Sequence, residues 1–290
     1  MNYQKKIIIG TAIYSNNYGI NFKSKKKIKQ LNSTFLNCYK IGFRNFDLAP
    51  SYGSAEKNFG KIFYNKNIFI SSKISRIFVR KNIYNILNYN FNLTLKKLKK
   101  KKIDLLYIHN IDDFFKYSKV FVKFIENLKK NKKIKKIGFS LYEVKELYKL
   151  LKFYKPDVIQ APLNIFNQSF LEKKVLILKK KFKFKLYGRS VFLQGAFLKK
   201  FDSLPTHLKK YENIFKKYYK FLEVKKITSL EACLAFSLRT FFDKIVIGIE
   251  NSKHINEINY LLKKKKLKKL LLLNLRSNNK KLTDPRKWKK

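Results

Sequence analysis

Eight short apolar runs, each separated from the next by a stretch of helical length, constrain this chain more than any other feature. They are Ile7-Ile8-Ile9 before Gly10-Thr11, Asn45-Phe46-Asp47, Ile68 to Lys73, Ile103 to His109, Lys136 to Ser140, Val158-Ile159-Gln160, Phe184 to Tyr187 and Ile245 to Gly248. Between them, Ser24 to Ile41, Lys81 to Lys100, Tyr117 to Lys130 and Tyr142 to Tyr154 are amphipathic at the helical period. A further helix is predicted to open at Thr228, because Thr228-Ser229-Leu230-Glu231 has the form of a capping box. Strands that alternate with helices pair in parallel, since a parallel neighbour needs a crossover and a helix supplies it. Eight such units close into a barrel or lie open as a doubly wound sheet. No G-x-G-x-x-G follows the first run, so the open dinucleotide-binding sheet loses its main support. The expected fold is α/β, a single-domain (β/α)8 TIM barrel over residues 1–273. From about Asn274 the alternation dissolves, leaving 274–290 as a basic C-terminal tail that carries the single tryptophan, Trp288.

Charge is the next constraint. The 290 residues hold 68 Lys and Arg against 18 Asp and Glu, a net +50, which raises the question of a polyanionic partner. The lysines, however, are dispersed in Lys25 to Lys27, Lys99 to Lys102, Lys179 to Lys181 and Lys263 to Lys266. Lys, Asn, Ile, Phe and Tyr are all abundant while Gly and Pro are scarce, the pattern of AT-rich codons and hence of an AT-rich genome. The charge therefore reads as solvated helix faces, with weak salt-sensitive binding to nucleic acid and no specific nucleic-acid partner. Cys38 and Cys233 both sit in apolar helical patterns, as buried free thiols of a reducing compartment do. Neither the N-terminal isoleucines nor Leu270 to Leu273 is long enough for a signal or a membrane span. A cytoplasmic protein with no membrane partner is expected; the oligomeric state stays open.

In α/β barrels chemistry gathers at the carboxyl ends of the strands. Strand two ends in Asp47 with Tyr52 just beyond it, strand three ends in Lys73, and strand four in His109. These four residue types form one machine. A hydride delivered to a carbonyl carbon creates an alkoxide that needs a proton, and a tyrosine hydroxyl can give it. Its free pKa near 10 is high for pH 7, and an adjacent ammonium lowers it. Tyr52 is thus the expected acid/base, Lys73 its tuner, Asp47 the anchor of Lys73, and His109 the group that orients the carbonyl. A metal hydrolase would want several His or carboxylate ligands; only His109 and Asp47 are on offer, so no metal is expected.

The segment Gly42-Phe-Arg-Asn-Phe-Asp47-Leu-Ala-Pro-Ser-Tyr52-Gly53-Ser-Ala-Glu56 resembles the signature of the aldo-keto reductases around their catalytic Asp and Tyr. Ser71-Ser72-Lys73 resembles the strand with their Lys, and Ile103-Asp104-Leu-Leu-Tyr-Ile-His109-Asn110 the strand with their His. The likeness runs over roughly residues 6 to 260, through Gly10-Thr11, Gly138-Phe139-Ser140, Val158-Ile159-Gln160, Arg189 to Gly195 and Gly248 to Glu257. It implies an NAD(P)H-dependent oxidoreductase that interconverts a small-molecule carbonyl (aldehyde, ketone or sugar) and an alcohol. It also implies an extended cofactor at the barrel mouth, with Thr11, Ser140, Gln160, Arg189, Ser190, Gly248, Asn251, Ser252 and His254 as cofactor-binding candidates. Ser140 and Gln160 would meet the nicotinamide carboxamide, Arg189 and Ser190 the ring and pyrophosphate, and the start of the helix near His254 the adenosine 2′-phosphate. Gly248 stands where a lysine is common, His254 where an arginine is frequent, and Leu141 where an asparagine is common. With Lys253 as compensation, NADPH is preferred and NADH remains possible. Tyr14, Tyr18, Phe192 and Phe114 or Phe115 are expected at the pocket rim, and Tyr18-Gly19-Ile20-Asn21 resembles members associated with sugar and polysaccharide metabolism. The alternative is a catalytically weak, cofactor-sensing or regulatory protein on the same barrel.

Overall fold

Each of the eight apolar runs forms a strand in the computed structural model, which describes residues 3–15, 19–20, 28–78, 80–263 and 273–288. The strands are β1 (Ile7–Gly10), β2 (Asn45–Asp47), β3 (Phe69–Ile74), β4 (Ile103–Ile108), β5 (Ile134–Ser140), β6 (Val158–Pro162), β7 (Lys185–Arg189) and β8 (Lys244–Gly248). All neighbours pair in parallel in chain order, and β8 returns to β1 through Ile8↔Val246 and Gly10↔Gly248, closing the barrel. The connecting helices are α1 (Ile28–Lys40), α2 (Ala55–Ile62), α3 (Ile83–Leu98), α4 (Ile111–Lys116), α5 (Ser118–Lys130) and α6 (Val144–Phe153). They continue with α7 (Lys173–Phe182), α8 (Thr206–Lys209), α9 (Glu212–Lys225), α10 (Ser229–Leu238), α11 (Ser252–Lys263) and α12 (Lys280–Thr283). The predicted start of the first helix at Ser24, the rim residue Tyr18 and Leu270 to Leu272 lie outside the described residues.

Two apolar layers hold the barrel. Because side chains alternate along a strand, residues i and i+2 share a face. Leu105 and Tyr107 of β4 join Ile8, Val158, Tyr187 and Val246 in a cluster inside the barrel. Leu106 and Ile108 belong instead to the larger layer between strands and helices. Amphipathic helices seal that layer with one stripe, while α10 is buried over nearly its whole surface. In α5 the stripe is Phe121, Phe124, Ile125 and Leu128, all buried at helical spacing, and each such side chain stabilises by about 1.5–3 kcal/mol. The Thr228 capping box forms as predicted, with Thr228 Oγ1 accepting from Glu231 N at 3.2 Å and Glu231 Oε2 accepting from Thr228 N at 2.8 Å. No helix among the described residues is long and apolar enough to cross a membrane.

Residues 273–288, where the pattern dissolves into a basic tail, fold back onto the strand ends. Asn279 caps α12 through Lys281 N at 2.9 Å, and Asp284 opens a turn with Pro285 at its first position. Leu275, Leu282 and Trp288 are buried, Ser277 N donates to Phe166 O at 2.9 Å, and the His207 and Trp288 rings lie 5.2 Å apart. Single turns of helix are too short to show a period, which is why the sequence pattern dissolves there.

Candidate active site

Strand alternation brings the polar strand-end residues together. Asp47 pairs in register with Ser71 across β2 and β3, and Lys73 with Tyr107 across β3 and β4. Since Tyr107 faces the barrel interior, Lys73 beside it and His109 two residues further on face the same way. Asp47 is 3% exposed and Lys73 1%, and Lys73 Nζ donates to Asp47 Oδ2 at 2.5 Å and to Leu48 O at 3.0 Å. The other oxygen, Asp47 Oδ1, accepts from Ser71 Oγ at 2.8 Å and Gln160 Nε2 at 3.3 Å. The buried carboxylate is thereby fully engaged, as such a charge must be.

Tyr52 follows in a turn, with its N–H donated to Ala49 O at 3.0 Å. Gly53, at φ +58°, lets the turn press on the loop after β1; a Cβ there would lie 2.6 Å from Tyr14 O. Lys73 Nζ lies 5.0 Å from the centre of the Tyr52 ring. The expected lowering of the phenol by that ammonium is not the outcome. Burial, then the Asp47 carboxylate, push the Tyr52 pKa well above its ordinary value, against a smaller pull from Arg189. Buried beside the Asp47 carboxylate, the phenol is held in its protonated form. Burial also pulls the Lys73 ammonium down, opposed by Asp47. His109 is drawn down to about 3 by burial and by the charges of Lys73 and Arg189, so its imidazole is neutral at pH 7.

A cavity of about 880 Å³ opens above this cluster, lined by Asp47, Tyr52 and His109. It lies in the upper part of the range for small-molecule and cofactor sites. Of the cofactor candidates, Ser140, Gln160, Arg189, Ser190, Gly248 and His254 line the same cavity. A Cβ added at Gly248 would meet nothing within 4 Å, so the absent side chain leaves room at that end. Thr11, Asn251 and Ser252 are not on the wall. Thr11 is fully buried and donates Oγ1 to Asp47 O at 2.9 Å, fastening β1 to β2. Asn251 Oδ1 accepts from His254 N at 2.9 Å at the start of α11, beside Ser252.

The sequence model of the aldo/keto reductase family matches residues 6–270. The chain belongs to the aldo/keto reductase family. Among solved structures, this aldo/keto reductase is similar to one from Bacillus halodurans in its holo form, with a TM-score of 0.74 at 14% identity, covering 98% of this chain and 95% of that one. It is similar also to a glycerol dehydrogenase from Gluconobacter oxydans, with a TM-score of 0.67 at 16% identity over 88% and 86% of the two chains. Among curated proteins, "Protein REDOX 2" of Catharanthus roseus is 29% identical over 164 residues, 48% of this chain and 50% of that protein. The chain thus spans about half the length of that relative.

Several wall residues of this aldo/keto reductase escaped the sequence reading. Tyr14 and Phe192 line the cavity as expected. Phe114 does not: it is fully buried, packed edge-on against Phe121 and Phe139. Phe115 is off the wall too, against Phe153. Leu141 turns into the core, and only its backbone serves the site, with Leu141 O accepting from Arg189 Nη2 at 3.0 Å. In their place stand Tyr142, Pro285, Arg286 and Trp288. Tyr142 was within reach of the strand-end rule, two residues past Ser140. Nothing local in the sequence links 285–288 to the barrel mouth.

Proposed function

We propose that this family member reduces a carbonyl compound to an alcohol with NADPH, with Tyr52 as the proton donor. The observation that carries the reading is the convergence of Asp47, Tyr52 and His109 on one cavity, with Lys73 bound to Asp47 and Tyr52 held protonated. Aldo/keto reductases use nicotinamide cofactors, and the cavity wall suits one: Ser140 and Gln160 offer polar groups for a carboxamide, Ser190 and Arg189 for the neighbouring anionic linkage. Bound there, such a cofactor would supply a hydride to the carbonyl carbon. The Tyr52 hydroxyl then gives its proton to the substrate oxygen as negative charge grows on it. His109, neutral, donates an N–H to that oxygen and fixes its position. Asp47 and Lys73 hold each other and shape the floor beneath Tyr52. Preference for NADPH over NADH is supported by Lys253 and His254 at the first turn of α11, where backbone N–H groups favour phosphate.

The test is oxidation of NADPH and of NADH with a panel of aldehydes, ketones and sugars, comparing wild type with Tyr52→Phe. Wild type is expected to turn over, with kcat falling by about 10²–10⁴ in the variant while cofactor binding persists. Cofactor binding without turnover in either protein would instead mark a cofactor-sensing barrel. Absence of any nicotinamide binding would overturn the reading.

A further inference from the structure

Lysine runs that lie far apart in the sequence are gathered by the fold. All eight strands are parallel, so their first residues share one end of the barrel, opposite the cavity. The stretches that lead into the strands carry the charge. Residues 99–102, between α3 and β4, are four consecutive lysines. Lys132 and Lys133 lie between α5 and β5, and the last turn of α7 brings Lys179, Lys180 and Lys181. Backbone bonds join these stretches into one rim. Ile103 N donates to Lys133 O at 3.1 Å, Asp157 N to Ile137 O at 3.0 Å, and Lys185 N to Asp157 O at 2.9 Å.

Carboxylates do not offset this charge. Those in the joining stretches and strand starts are Asp104, Asp157 and Asp243, and each is already taken, by Lys135 at 2.7 Å, Lys129 at 3.0 Å and Lys179 at 2.9 Å. Lys101, Lys102, Lys132, Lys133, Lys180 and Lys181 are exposed and form no ion pair among the described residues. The negative end of a helix dipole accounts for lysines in the last turn of α7, but its effect fades within that turn. Residues 99–102 and 132–133 lie beyond their helices. Inside the rim, Lys136 pairs with Leu105 and Lys244 with Tyr187, two residues of the interior cluster, so both lysines point to the barrel axis. Lys244 Nζ donates to Asn45 Oδ1 at 2.9 Å, and burial together with the Lys136 charge pulls its pKa down. Two ammoniums that repel across an axis, within a ring of unpaired ones, make a surface that attracts a polyanion.

Aromatic rings alternate with these cations. Arg44 Cζ lies 4.0 Å from the centre of the Tyr39 ring, Lys99 Nζ 5.8 Å from that of Tyr64, and Lys181 Nζ 5.8 Å from that of Phe182. Tyr64 is 54% exposed, and Phe153, which ends α6 at the same rim, is 52% exposed. The rings stand singly, each near a different helix end, so they offer no continuous apolar face to sink into a bilayer. A nucleic-acid strand presents a base with every phosphate. Proteins that hold one without reading its sequence combine a basic track with separate stacking rings.

We infer that the strand-entry end of the barrel is a docking surface for single-stranded RNA, held through its phosphates and bases without regard to sequence. The sequence hides this surface, because crossover helices separate residues that meet at one rim.

The experiment is fluorescence anisotropy of a labelled, unstructured RNA of about 20 nucleotides, titrated with the full chain over a range of salt. A Kd of about 1 µM or tighter is expected near 0.1 M salt, and log Kd should rise with log salt at a slope of about 4 if about six phosphates are neutralised. Lys101→Glu, Lys102→Glu, Lys180→Glu and Lys181→Glu together should weaken binding at least about tenfold and lower the slope. The same charge change at the other end, by Lys116→Glu, Lys119→Glu, Lys200→Glu and Lys209→Glu, should leave Kd within about twofold, since salt screens charges that far away. Tyr64→Ala with Phe153→Ala should weaken RNA binding at least about fivefold and leave binding of inorganic polyphosphate unchanged. Equal losses in the two charge variants, or equal losses of RNA and polyphosphate in the ring variant, would each overturn the inference. So would binding to vesicles containing phosphatidylglycerol with none to RNA. Should the first glutamate variant fail to fold, glutamine at the same four positions carries the comparison, with a loss of at least about threefold expected.

Discussion

Replacing Lys73 by methionine keeps the length of the side chain and removes its charge, leaving Asp47 without its cation in a site that is 3% exposed. Ser71 Oγ and Gln160 Nε2 would still donate to one oxygen, but Oδ2 would lose the partner now at 2.5 Å. Breaking a buried pair on one side typically costs about 3–5 kcal/mol. At roughly 2–4 °C per kcal/mol for a chain of this size, Tm should fall by about 6–20 °C. Asp47→Asn should cost less, because burial already favours the neutral amine of Lys73 and an amide oxygen can still accept from Ser71 and Gln160. The double variant Asp47→Asn with Lys73→Met has no buried charge, and should recover at least about 2 kcal/mol relative to the sum of the singles. Calorimetry or reversible urea unfolding of the four proteins closes the cycle. A Tm loss under about 3 °C for Lys73→Met, or a double variant no better than additive, would refute the buried pair as the keystone of the barrel mouth.

His109 should show no protonation step between pH 5 and 8, since its imidazole is held down to about 3; nitrogen chemical shifts of the ring check this, and a midpoint near 6.5 would contradict it. Its folded-state pKa lies below the unfolded value near 6.5, so the unfolded chain takes up the proton first. The corresponding stability is present above about pH 6.5 and is lost as pH falls towards 3, a slope that His109→Gln should reduce in pH-dependent unfolding. Gly60→Ala pits helix propensity, worth about 1 kcal/mol in favour, against a Cβ that would overlap the Lys97 carbonyl oxygen and the Leu98 backbone. Backbone cannot step aside as a side chain can, so a net loss above about 2 kcal/mol is expected; an unchanged or raised Tm would show that α2 and α3 are free to part.

The barrel was legible because strands buried on both faces read as continuous apolar runs. Strand β2 keeps the predicted bounds Asn45–Asp47, and β4 ends at Ile108, one residue before the polar position that ends its run. β7 runs two residues further than its apolar run, because Gly188 and Arg189 continue the ladder with Ala161 and Pro162. Helix α2 went unread: it has eight residues, and its buried face includes Glu56, Asn58 and Gly60 as well as Phe59, which hydrophobic spacing cannot register. Glu56 is tolerated there because Oε1 accepts from Ser72 Oγ at 2.7 Å and Thr94 Oγ1 at 3.1 Å. At the site, strand-end polarity pointed to Asp47, Lys73 and His109, while spacing carried no information on the direction of the Tyr52 shift. That direction is set first by how completely the fold buries the ring and then by its nearness to the Asp47 carboxylate. Phe114 misled because a chain with 27 phenylalanines offers no contrast between rim and core.

Pro285, Arg286 and Trp288 close a cavity that also draws polar groups from strand ends more than a hundred positions earlier, at Asp47, His109 and Gln160. Two parts of the chain therefore govern two traits that can be inherited apart. Substitutions in the last turns can redraw which molecules are admitted while leaving the strand-end residues unaltered, and damage to the strand ends cannot be mended from the other part. A lineage carrying this barrel has, in those few terminal positions, a cheap place to diversify, and a library confined to them is the smallest one that samples its reach.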